Sequence, residues 1–161
     1  MRELEGDSLV VAGTRSRLKL HTQLLELDRQ ELDGHISIEC LGMFDTSTVI
    51  NMGALFSDCS ALSSVPLFDT SRVTNMASMF NDCKKLKTVP LFNTNKVTNP
   101  QAMFYGCSSL TTVPLFDTSN WDNMYTTFAG CISLSSVPLF NTNKVTNMNW
   151  AFSQCTSLTS I

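Results

Sequence analysis

A chain of 161 residues with 11 Lys and Arg against 14 Asp and Glu has a formal net charge of −3, and no basic stripe neutralises phosphates, so nucleic acid is not an expected partner. Nothing approaches the ~20 apolar residues of a membrane-spanning helix, and the acid-rich opening MRELEGDSLVVAGTRSRLKL lacks the apolar core of a secretory signal. The chain is therefore expected not to use that export route, or to be a mature or trimmed form.

Residues 1–16 hold one apolar run, Leu9 to Ala12, closed by Gly13, which predicts a short strand and turn. Residues 17–40 read as a degenerate copy of the repeat that follows, with Leu25, Leu32, His35 and Ile38 in its apolar columns. The charges of Asp28, Arg29, Glu31 and Asp33 suit an end copy with one side in water. The segment is expected to cap the repeats, or else to attach them to a larger assembly.

From Leu41 onward the chain is periodic. VPLFDTSRVTNMASMFNDCKKLKT, residues 65–88, returns with substitutions at Val89, Val113 and Val137 and more weakly at Leu41, a period of 24 residues. This divides the chain into 41–64, 65–88, 89–112, 113–136 and 137–160, with Ile161 opening a sixth copy. Phe44, Phe68, Phe92, Phe116 and Phe140 form one column and Cys59, Cys83, Cys107, Cys131 and Cys155 another. Helix-side positions on neighbouring coils normally lie farther apart than the ~4.4–6.8 Å Cα separation of a disulfide, so these cysteines are expected to form a buried ladder of thiols. No CxxC pair accompanies His21 and His35, so no metal site or other cofactor is expected. Cys40 stands outside the column and reads as an exposed thiol.

Within a repeat, Leu86, Val89 and Leu91 match LxxLxL, the inward residues of a short parallel strand. Pro66, Pro90, Pro114 and Pro138 each delete one ladder N–H and should keep that strand short. Met76, Met79, Phe80 and Cys83 fall at i, i+3, i+4 and i+7, one face of a short helix. Pro100 in the Met76 column marks its first turn, which makes Asn51, Asn75, Asn99, Asn123 and Asn147 its N-caps. Trp121 replaces a Val of the Val73 column where Thr127 and Ala151 replace Met, a volume exchange expected if these columns pack together. The fold expected is an α/β solenoid: a leucine-rich-repeat-like, right-handed stack of coils with a short parallel strand and a short helix in each, preceded by an irregular β-rich N-terminal cap.

FDTSRVTNMASMFNDCKKL, FNTNKVTNPQAMFYGCSSL and FNTNKVTNMNWAFSQCTSL closely resemble the repeat of the BspA-like leucine-rich proteins. That resemblance spans residues 41–161 and implies bacterial surface proteins, mycoplasma-type lipoproteins or phage structural proteins, which serve adhesion and scaffolding without a common ligand.

Function is expected where copies differ and side chains face outward. Tyr125, Trp150 and Tyr105 occupy the outward columns that begin at Ala77, Ser78 and Asn81, and are the candidate binding surface for a host-surface glycan or protein. Arg72, Lys96 and Lys144 read as a solvated face, as do Lys84, Lys85 and Lys87, while Ser108, Ser109, Thr111 and Thr112 read as turn-closing hydroxyls. No nucleophile with a base, carboxylate pair or phosphate loop can be assembled, so no enzyme is expected. The expectation is a structural or adhesive module, a phage tail-fibre or decoration protein or a bacterial surface module, located on a virion or extracellular surface without membrane insertion. The alternative is an internal assembly protein that contacts other virion proteins or copies of itself through its open C-terminal coil at Ile161, unless that end marks a truncation.

Overall fold

The structure, a computed structural model, describes residues 46–160. The cap and degenerate repeat of residues 1–40, with His21, His35 and Cys40, lie outside that range, as do Phe44 and Ile161.

Successive copies are in register and joined by hydrogen bonds, but neither the helix nor the strand is there. Among the described residues there is no helix, and pairing is confined to the isolated parallel bridges Asn51↔Asn75, Asn75↔Asn99 and Asn123↔Asn147. The expected α/β solenoid, a strand plus a helix per coil, is overturned.

The repeat of residues 65–88 shows what replaces them. Asn75 opens it: its Oδ1 accepts the Ala77 N–H at 2.9 Å, an Asx turn rather than a helix N-cap. Three-residue turns follow, with Met79 N–H donating to Met76 O, Asn81 to Ser78 O, Cys83 to Phe80 O and Leu86 to Cys83 O, all at 3.1 Å. The intervening N–H groups point across the stack. Met76, Ser78, Phe80 and Asp82 donate to the carbonyls of Asn99, Gln101, Met103 and Tyr105 in the next repeat, at 2.7–3.1 Å. A helix would spend every one of these donors on its own segment. Ser78 and Asp82 also sit at φ 57° and 55°, a left-handed conformation that a right-handed helix cannot contain.

The periodicity that suggested a helix has another origin. Turns closing at Met79, Cys83 and Leu86 return side chains to the interior at the same three- and four-residue intervals, and Met76, Met79, Phe80 and Cys83 are all fully buried. Pro100 illustrates the ladder by interrupting it. It has no N–H to donate where Met52, Met76 and Met124 each bond the next repeat, and the Asn99–Asn123 bridge is missing from the otherwise regular series. A side-chain rung stands nearby, with Asn123 Nδ2 donating to Gln101 Oε1 at 3.1 Å.

The supposed strand is bent by its proline. Phe92 N–H donates back to Pro90 O at 3.0 Å, as Phe116 does to Pro114 O at 2.9 Å, which turns Leu91 outward and Phe92 inward. The inward set is therefore Leu86, Val89 and Phe92, and Leu91 is corrected to an exposed position. Thr70, Thr94 and Thr118 are buried and donate their hydroxyls to Asn93 O, Asp117 O and Asn141 O, each at 2.9 Å. Ser108 and Thr111 likewise bond Lys84 O and Lys87 O one repeat back, so these hydroxyls join repeats instead of closing their own turns.

Packing follows the columns. Phe56, Phe80, Phe104, Phe128 and Phe152 stack in a file with ring centroids 5.4–5.6 Å apart. Trp121 is fully buried, wedged between Phe116 and Phe140 at 6.4 and 5.9 Å, and Thr127 and Ala151 are buried too, as the volume exchange requires. Cys59, Cys83, Cys107 and Cys131 are buried thiols in no disulfide and Cys155 a half-buried one, and each from Cys83 on donates to a phenylalanine carbonyl of the preceding repeat at 3.0–3.1 Å.

Candidate aromatic groove

Each repeat places two residues in the left-handed region four positions apart. The first column is Ala54, Ser78, Ala102, Thr126 and Trp150, and the second is Asp58, Asp82, Gly106, Gly130 and Gln154. A side chain at such a position is costly, most of all a β-branched or bulky one. In the second column two repeats resolve this with glycine, at φ 69° and 78°, and the missing side chains open space on the surface.

That space is a groove of about 540 Å³ floored by Gly106, Ala129 and Gly130. Tyr105, Tyr125 and Trp150 line it, so the three aromatics singled out in the sequence come together from three successive repeats. They are 36% to 66% exposed, Trp150 the most. Asp82 lies at one end, where a Cβ on Gly106 would meet its Oδ1 at 2.5 Å, and Gln154 and Ser153 belong to the repeat of Trp150 at the other. Tyr125 is held from behind, its N–H bonded to Asn123 Oδ1 at 2.9 Å, and its carbonyl accepts the Thr126 hydroxyl at 2.8 Å.

Chemically, the groove offers flat aromatic surface, one carboxylate and several hydroxyl and amide groups. It has no paired acid and base, and no group of three or more His, Cys, Asp or Glu capable of holding a metal occurs among the described residues. Sequence reasoning missed Asp82, Gly106, Gly130 and Gln154. The signal was present, since two consecutive repeats place glycine in a column that otherwise holds Asp or Gln, the mark of a left-handed position with space above it. Ile161, the candidate assembly contact, is outside the described residues. Lys144 Nζ bonds Asn120 Oδ1 across the exposed surface at 2.6 Å, in keeping with a solvated face.

A family model described as "Mycoplasma protein of unknown function, DUF285" matches residues 29–136 and 88–160. The chain belongs to this family of repeat proteins. The first match begins within the segment read as a degenerate repeat. No curated protein and no solved structure matches the chain.

Proposed function

We propose that the chain is a non-enzymatic adhesive module of the BspA-like kind, displayed on a bacterial surface, that holds a glycan in the groove of Tyr105, Tyr125 and Trp150. The observation that carries this reading is the convergence of three exposed aromatic rings on a glycine floor with a carboxylate at one end. The apolar faces of pyranose rings stack on aromatic side chains, and hydroxyls on the sugar edge match Asp82, Thr126, Ser153 and Gln154. Rings on neighbouring repeats suit a short oligosaccharide better than a single sugar. The Mycoplasma description of the family supports a cell-borne module over a virion component, and the resemblance of the repeat to surface proteins supports its display outside the cell.

The test is a screen of surface oligosaccharides, followed by titration of the best ligand with tryptophan fluorescence as readout. Trp150 is exposed and Trp121 fully buried, so bound sugar should shield the acrylamide-quenchable emission of Trp150 alone. By isothermal titration calorimetry, which needs no tryptophan reporter, Tyr125→Ala with Trp150→Ala should weaken binding at least ten-fold. Undiminished binding by that pair would remove the groove as the site.

A further inference from the structure

Leu67, Leu91, Leu115 and Leu139 occupy the same column of four successive repeats and are 59% to 90% exposed. They recur once per repeat along a stack whose phenylalanine file has rings 5.4–5.6 Å apart, and so form a ridge along it. Single exposed leucines need no explanation, but a continuous row of four does. The core is complete without them, because Val89 and Phe92 on either side fill the interior. The groove does not use them either.

We propose that this leucine ridge is the interface of an antiparallel homodimer. The ridge presents on the order of 500 Å² of leucine surface per copy. Two copies and their prolines therefore approach the ~1,200 Å² at which specific interfaces begin. The rims decide the orientation. One is a row of alternating charge and amide, Asp69, Asn93, Asp117 and Asn141, all exposed, and the other carries only hydroxyls, Ser64, Thr88, Thr112 and Ser136. A two-fold axis across the ridge between Leu91 and Leu115 lays each rim against its own kind in reverse order. Asp69 then faces Asn141 of the second copy and Asn93 faces Asp117, so each carboxylate meets an amide that can donate to it and none meets another carboxylate. The contact is isologous and closes on itself, which limits it to two copies.

Sedimentation equilibrium on the full chain tests this. The wild type should be a dimer at tens of micromolar, and Leu91→Asp with Leu115→Asp should be a monomer with an unchanged circular dichroism spectrum. Asn93→Lys places a cation opposite Asp117 twice per dimer and should tighten association at least three-fold at low salt, whereas Asn93→Asp should weaken it at least three-fold. A monomeric wild type at 200 µM, or a dimer indifferent to the paired aspartates, would overturn the ridge as the interface. Equal effects of Asn93→Lys and Asn93→Asp would overturn the antiparallel pairing.

Discussion

The Cys107 thiol donates to the carbonyl oxygen of Phe80, 3.0 Å away in the preceding repeat, and the same oxygen accepts the Cys83 N–H. Burial pushes the Cys107 thiol from its usual 9.0 up to about 12, and it also raises Cys131 and, less deeply buried, Cys155. Between pH 9 and 12 the folded chain keeps a proton on Cys107 that the unfolded chain has lost. Its contribution is thus fully present below about pH 9 and is lost as pH rises towards 12, by about 1.4 kcal/mol per pH unit for one such thiol. Urea denaturation from pH 7 to 11 should show a plateau and then a decline, and the decline should shrink in Cys107→Ala. A flat profile to pH 11 would contradict the burial of the ladder.

Trp121 fills space that its neighbours vacate, and its Nε1 is buried without a hydrogen-bond partner. Trp121→Val restores the residue of the other repeats but leaves Thr127 and Ala151 too small to close the gap, so a loss of about 3 kcal/mol is expected. Adding Thr127→Met returns the volume and should recover more than half of that loss. Calorimetric melting of the three proteins checks this, and purely additive effects would mean that the two positions do not share a cavity.

Gly106 and Gly130 differ in what a methyl group would strike. On Gly106 it meets the Asp82 carboxylate, the end of a flexible side chain, and on Gly130 it meets the Gly106 backbone at 3.3 Å. Both alanine variants pay ~1 kcal/mol for their positive φ. Asp82→Ala should relieve part of the cost of Gly106→Ala and none of that of Gly130→Ala, as measured by denaturation midpoints. Both glycine variants should also lose sugar binding, because the floor rises into the groove.

Trp150 is held at φ 62°, a conformation that costs a bulky residue ~1–2 kcal/mol. Trp150→Gly should therefore leave stability unchanged or raise it by up to ~1 kcal/mol, while reducing glycan affinity at least ten-fold. A residue strained by its backbone, exposed at its ring and dispensable for folding is one retained for contact. A stability loss above ~1 kcal/mol in Trp150→Gly would instead make the ring a packing element.

The sequence reading and the structure agree on the inward set from Met76 to Cys83 and part over Leu91 and over the backbone that carries these residues. Met76, Met79, Phe80 and Cys83 were legible as one buried set, because side-chain spacing records the interior whatever conformation produces it. A chain of turns with left-handed residues at Ser78 and Asp82 is illegible in single-residue preferences, since neither residue demands positive φ, and hydrogen bonds to the next copy leave no periodic signature of their own. Leu91 was misplaced because LxxLxL assumes an extended strand, while Pro90 and the bond from Phe92 N–H to Pro90 O bend it. The three aromatics were found by their departure from the column pattern. Gly106 and Gly130 beneath them are harder to read, because a column that loses a side chain stands out less than one that gains a ring.

The rungs between repeats, whether from Ser78 N–H to Gln101 O, from Thr70 Oγ1 to Asn93 O or from Thr74 N–H to Ile50 O, run along the stack and not across it. Force applied along that axis pulls all the rungs of one boundary in tension together, and a boundary that yields frees a single 24-residue length of chain. Force applied sideways, as a ligand tugging from the groove would apply it, is spread as shear over the boundaries joining the repeats of Tyr105, Tyr125 and Trp150. The same connectivity that makes each repeat dependent on its neighbours would let an adhesive contact share a lateral load among three of them.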